Sequence, residues 1–302
     1  MTNGESDRPE PGSSDARVAA KERARELRTQ HRKQERRRRL IVQFSVLGGA
    51  VLVIAIVAVT LITMNQSPSR GPLNMASDGI KIGTDLKVVR TPGLSADATP
   101  RPSATNEAGV VDIQLYVDYL CGNCGAFEKN NAAQLRQWVT SGAATLEIHP
   151  IALLTTKSAG TQYSLRAANA AACVAEYAPD SFLDFHESLF VDQPEEGSEG
   201  LSDEELLARA AKAGVADSPK LTSCIEKRRF SGWVQAATVR ALNGPIPNAD
   251  IPAITTAPTV IVDGKQFAYT KDFAAKELAQ FVTDAAGEQY TATPTPTPTP
   301  SP

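Results

Sequence analysis

From Leu40 to Met64 the chain reads LIVQFSVLGGAVLVIAIVAVTLITM, a run without a single charged residue. At about 1.5 Å of rise per residue, a helix of this length crosses a hydrocarbon core of about 30 Å. Arg36-Arg37-Arg38-Arg39 stands directly before it. Such a basic cluster stays on the cytoplasmic side, so everything after Met64 is expected to be exported. A cleaved signal peptide is the competing reading. Its basic head is short and its cleavage site small-x-small, whereas this head is 39 residues long and Asn65-Gln66-Ser67-Pro68, after the apolar run, offers no such site. The expectation is an uncleaved single-pass anchor at 40–64, with the N-terminus cytoplasmic and the C-terminal part extracytoplasmic.

Charge divides at the same place. Residues 1–39 carry 12 Lys+Arg against 7 Asp+Glu, and the remainder carries 19 against 27, within a formal net charge of -3. A basic head and an acidic body fit two compartments. The basic tail reads as a solvated helix beside anionic lipid headgroups, and no nucleic-acid partner is expected. Residues 65–106 are rich in Pro, Ser, Thr and Gly, and read as an extracytoplasmic linker in which GIKIGTDLKVV (79–89) forms a small hairpin. Residues 289–302, ending in TATPTPTPTPSP, read as an extended Thr/Pro tail. One globular domain is left, at 107–288.

Within that domain the order of elements is informative. Gly109–Val117 reads as a buried strand, 125–142 as a helix and Ala144–His149 as a second strand, which predicts a parallel pairing through a crossover. A helical region follows over about 155–250, with helices predicted at Lys157–Ala178, Asp180–Val191, Ser202–Ala213 and Ser218–Leu242. Ser202-Asp-Glu-Glu205 has the spacing of a capping box. Pro258–Val262, a turn at Asp263-Gly264, Gln266–Tyr269 and a last helix over Asp272–Ala286 complete the pattern. The fold class is α/β.

The chemistry sits at the first strand-to-helix junction, in Cys121-Gly-Asn-Cys124. Unpaired N–H groups and the positive end of a helix dipole favour thiolate at Cys121, and the thiolate is the nucleophile. Cys124, one helical turn on, is placed to resolve a mixed disulfide. Zinc uses the same spacing but needs four ligands, and neither Cys173 nor Cys224 has a cysteine or histidine at ligand spacing. No metal and no cofactor is expected. If Cys121 and Cys124 pair, Cys173 and Cys224 remain, either as a structural bridge stapling the helical region or as two buried thiols; the bridge is the expectation. Asp118 reads as a strand-end carboxylate facing water, His149 and His186 as packed histidines, and Phe127 as core.

These features together resemble the DsbA-like branch of the thioredoxin superfamily, over about 107–288. The resemblance rests on CGNC, HPIALL (149–154), FLDFHESLF (182–190) and TAPTVIVDGK (256–265). It implies a thioredoxin fold with an inserted helical subdomain and a protein thiol–disulfide oxidoreductase. It also implies a cis proline at Pro258 facing the cysteines, in a substrate-binding loop of Ala257, Pro258 and Thr259. The partners implied are exported cysteine-containing proteins and a membrane redox protein that recycles the pair. Asn123 stands where family oxidases often carry histidine, Leu115 where many carry a buried acid, and Ala257 where Thr or Val is common. Cys121 is therefore expected to be less acidic than in strong oxidases, which leaves a reductase or isomerase of the same fold, or a redox-inactive binding module, as alternatives.

Overall fold

The structure is a computed structural model that describes residues 70–292, apart from residue 271. The apolar run at 40–64, the basic tail before it and the end of the Thr/Pro tail lie outside the described residues. Among the described residues no helix is long and apolar enough to cross a membrane.

A six-stranded sheet organises the domain, in the order β2-β1-β4-β3-β5-β6. β1 spans Ile80–Gly83, β2 Lys87–Val88, β3 Val111–Val117, β4 Ala144–Pro150, β5 Thr259–Val262 and β6 Lys265–Gln266. β3 has the near-continuous apolar burial of a central strand, with only Asp112 half-buried. It pairs parallel with β4, Val111 opposite Ala144 through Val117 opposite Pro150, and antiparallel with β5, Tyr116 opposite Thr259.

The crossover between β3 and β4 is α1, Gly122–Ser141. It stops at Gly142, whose left-handed φ of 76° lets its N–H reach back to the Trp138 and Val139 carbonyls. α1 buries Cys124, Phe127, Leu135 and Val139.

Five helices form the insert: α2 at Tyr163–Tyr177, α3 at Phe182–Ser188, α4 at Asp203–Lys212, α5 at Pro219–Glu226 and α6 at Ser231–Asn243. α2 is buried from Tyr163 to Ala175, and its alanines let the others pack closely around it. Ser202 and Glu205 form the capping box that opens α4. A final helix, α7, runs over Ala275–Ala292.

Two sequence expectations need correction. The segment expected as a linker is, from residue 70, part of the domain. Ile80 and Ile82 lie opposite Ile148 and Leu146 of β4, fully buried together with Met75. The hairpin of β1 and β2 covers an edge of β4 that would otherwise present unpaired backbone groups. Lys81 is buried too, with Nζ 2.8 Å from the Asp112 carboxylate and 3.0 Å from the Ala104 carbonyl.

The single helix expected over 218–242 is broken between α5 and α6. Arg228 takes a left-handed φ of 50°, and the N–H of Phe230 donates to the buried Asn169 Oδ1 at 2.7 Å. Asn169 thus replaces a helical partner, and the turn buries Phe230 and Trp233.

Cys173 of α2 and Cys224 of α5 are joined as a disulfide across 51 residues. In the chain-entropy picture such a cross-link stabilises by about 3–4 kcal/mol. Cys173→Ser, Cys224→Ser is expected to lower the unfolding free energy by about that amount, measured by denaturant titration with Cys121 and Cys124 held reduced. An unchanged midpoint would exclude the cross-link as a staple.

Candidate active site

The site is built where β3 leaves the sheet. Cys121 is the N-cap of α1, with extended φ/ψ of -74° and 115°, and its carbonyl accepts the first helical bond from Gly125 N at 3.1 Å. Cys124 sits inside the first turn, fully buried, whereas Cys121 keeps 8% of its surface exposed. Both cysteines are in the thiol form.

Position separates the two thiols electrostatically. Cys121 is held below the ordinary 9.0, mainly by a hydrogen bond from the Cys124 thiol, helped by the N–H groups of Cys124 and Asn123 and opposed by partial burial. Cys124 is pushed well above it, first by burial and then by the same bond to Cys121. One sulfur keeps a small opening to solvent and is the more acidic; the other is enclosed and stays protonated.

The late loop faces this pair. The Ala257–Pro258 peptide bond is cis, and Cys121 Sγ lies 3.2 Å from the Ala257 carbonyl oxygen, to which the thiol donates. Thr259 is buried at the start of β5, its hydroxyl donating to the Thr256 carbonyl at 2.7 Å. The Tyr269 hydroxyl donates to the Pro258 carbonyl at 2.7 Å, which holds the loop from behind.

Asp118 is not the water-facing carboxylate expected from its place at a strand end. It is 0% exposed and accepts from Leu120 N at 2.9 Å, Leu154 N at 2.8 Å and Ser164 Oγ at 2.8 Å. Those donors come from the cysteine loop, the HPIALL segment and the start of α2. Burial nonetheless raises its pKa, outweighing the three bonds. Its charge in turn raises both cysteine pKa values.

His186 is packed, as the sequence suggests, but within a polar chain. Its Nδ1 lies 3.1 Å from the Tyr119 hydroxyl and its Nε2 3.0 Å from Glu128 Oε1. Tyr119 precedes the cysteines and Glu128 lies on α1, so this chain ties α3 to both sides of the motif. Phe127 is buried against Phe273.

Gln193 is a contact that the sequence alone does not reveal. Its Nε2 donates to the carbonyls of Tyr119 and Cys121, each at 3.0 Å. Its Oε1 lies only 2.2 Å from where a Cβ on Gly125 would stand. Glycine at 125 is what allows the amide to reach the motif.

Two outcomes follow from these contacts. Asp118→Asn removes the buried charge, so the Cys121 pKa is expected to fall further, read from thiolate absorbance against pH; a rise would contradict the assigned sign. Helix propensity favours alanine over glycine by about 1 kcal/mol. Gly125→Ala should therefore stabilise by about that amount in a Gln193→Ala background and by much less in the native chain. Equal effects in both backgrounds would remove Gln193 from the motif.

The thioredoxin family model matches residues 102–284. Among solved structures, oxidised DsbA of Mycobacterium tuberculosis is 26% identical over 69% of this chain and 93% of that one, with a TM-score of 0.50. The reduced disulfide bond oxidoreductase DsbG of the same organism is 26% identical over 72% and 95%, with a TM-score of 0.50. Oxidised BdbD of Bacillus subtilis is 21% identical over 74% and 100%, TM-score 0.50, and shares the fold. No curated protein matches. With the family model covering more than half of its length and the cysteine pair at the strand-to-helix junction, the chain belongs to the thioredoxin family, among the DsbA-like thiol–disulfide oxidoreductases.

Proposed function

We propose that the chain is a membrane-anchored oxidoreductase that forms disulfides in exported proteins through Cys121 and Cys124. The observation that carries this reading is Cys121 at the N-cap of α1, its Sγ against the Ala257 carbonyl before cis Pro258, with Cys124 enclosed one turn further in; the two thiol pKa values are displaced in opposite directions to match. A substrate thiolate attacks Sγ of Cys121 in the oxidised pair. The Cys121–Cys124 bond breaks, and Cys124 leaves as a thiolate that takes a proton. A second substrate thiolate then attacks the substrate sulfur of the mixed disulfide, and Cys121 departs as the stabilised thiolate. The substrate gains one disulfide and the pair gains two electrons, which a disulfide of a membrane redox partner accepts to restore the oxidised form.

The Ala257 carbonyl belongs to this cycle. It accepts from the Cys121 thiol in the reduced pair. Once Cys121 has no proton to donate, that carbonyl is open to an extended substrate backbone. The uncharged run at 40–64 behind four arginines supports anchorage and export. The Cys173–Cys224 disulfide suits an oxidising compartment.

The buried Asp118 charge favours a second reading, a reductase or isomerase, because it works against the Cys121 thiolate and so against a strongly oxidising pair. The two readings separate on the reduction potential of the pair, which lies near about -120 mV for a strong oxidant and near about -270 mV for a reductase.

Cys124→Ser in the full chain is expected to accumulate mixed disulfides with exported proteins, seen as bands that collapse on reduction, whereas Cys121→Ser should accumulate none. If cells carrying Cys121→Ser, Cys124→Ser fold their exported proteins as before, the domain acts as a binding module instead. The rate at which the reduced pair attacks oxidised glutathione should fall about tenfold per pH unit below the Cys121 pKa, with its midpoint below 9.0.

A further inference from the structure

The Ala257 peptide stands just beyond the ladder that places it. The register of β3 with β5 ends on Tyr116 opposite Thr259, so Ala257 and Pro258 lie past the sheet and need other contacts to stay beside Cys121. In the reduced pair the Cys121 thiol supplies one, donating to the Ala257 carbonyl. An oxidised Cys121 has no proton to give, yet this is the form that meets a reduced substrate. The bond from the Tyr269 hydroxyl to the Pro258 carbonyl, at 2.7 Å, is left in place by oxidation.

Tyr269 is in turn fixed to the helix that carries the cysteines. Its ring packs on that of Phe273, 4.6 Å between centroids, and Phe273 is buried edge-on against Phe127 of α1. Three side-chain amides of α1 hold the backbone around Phe273. Asn130 Nδ2 donates to the Asp272 carbonyl at 2.8 Å, Asn131 Nδ2 to that of Phe273 at 3.0 Å and Gln134 Nε2 to that of Ala275 at 3.0 Å. Phe273 has a left-handed φ of 50°, a conformation unfavourable outside glycine and held here by those bonds.

The phenol is also matched to the chemistry beside it. Burial first, then the nearby Cys124 and Cys121, raise the Tyr269 pKa, so the hydroxyl keeps its proton and remains a donor when Cys121 is ionised. Tyr269 therefore transmits the position of α1 to the loop that faces it, in either redox state of the pair.

We propose that Tyr269 is a positioning residue for polypeptide substrates, holding the Ala257 backbone beside Cys121 Sγ through Pro258 when the pair is oxidised. The proposal rests on the reading of this loop as the one that receives the substrate backbone. A loop already fixed before the substrate arrives is not ordered at the expense of affinity. A small thiol that reaches Sγ directly does not use the loop.

Tyr269→Phe removes the hydroxyl and keeps the ring against Phe273. Reduction of the oxidised full-length chain is followed with dithiothreitol and with a reduced, unstructured peptide carrying a pair of cysteines. The variant is expected to raise the KM for the peptide about tenfold, the equivalent of one hydrogen bond of about 1.4 kcal/mol. The peptide kcat and the dithiothreitol rate should keep their native values, as expected when only binding is lost. Placing 4-aminophenylalanine in place of Tyr269 returns an N–H donor and should restore the native KM. A peptide KM unchanged by Tyr269→Phe overturns the proposal. So does a dithiothreitol rate that falls in step with the peptide reaction, which marks damage to the fold or to the pair itself. A native chain that reacts with dithiothreitol but never saturates with the peptide overturns the substrate-loop reading, and the role of Tyr269 with it.

Discussion

Hydrogen bonding of β3 on both sides is the constraint on which the site depends. Its parallel register with β4 sends the chain out at the C-terminal end of the sheet and brings it back through α1. Its antiparallel register with β5, Tyr116 opposite Thr259, brings the residues before β5 to the same end. Cys121 follows β3 and Ala257 precedes β5, so the two meet although 136 positions separate them. A shift of either register by one residue would turn the side chains over and separate them.

On that frame, burial divides the labour between the sulfurs. Cys121 stands at the helix N-cap, where N–H groups without helical partners favour a negative charge. Cys124, one turn further in, has left the solvent behind. Asp118 works in the other direction. An enclosed carboxylate is tolerated only when it is well hydrogen-bonded, and its three donors lock the cysteine loop to the HPIALL segment and α2. The same charge disfavours both thiolates. Asp118 therefore couples the rigidity of the loop to the redox balance of the pair, and Gln193 and the Tyr119–His186–Glu128 chain hold the motif from the side of the insert.

The readable parts of the sequence were those with local causes. The β-branched run of β3, the capping box at Ser202 and Glu205 and the helix after the cysteines all carry their signals within a few residues, whereas the Ala257-Pro258-Thr259 loop was reached through the family resemblance. What stayed hidden depends on distant partners. Asp118 is buried because Leu154 and Ser164, 36 and 46 residues away, donate to it, and nothing beside Asp118 announces that. The break between α5 and α6 relies on Asn169, 61 residues before the N–H it accepts. The Pro- and Thr-rich composition of 65–106 concealed Ile80 and Ile82, whose burial is decided by the open edge of β4. Gln193 lies more than 70 residues from the carbonyls that it holds.

The most direct test of this division between the sulfurs is the pH dependence of alkylation of the reduced chain by iodoacetamide, with each cysteine quantified by mass spectrometry. Cys121 is expected to react first and alone, its rate titrating with a midpoint below 9.0, while Cys124 stays unmodified across the range. Cys124 reacting first, or Cys121 titrating at or above that value, would contradict it.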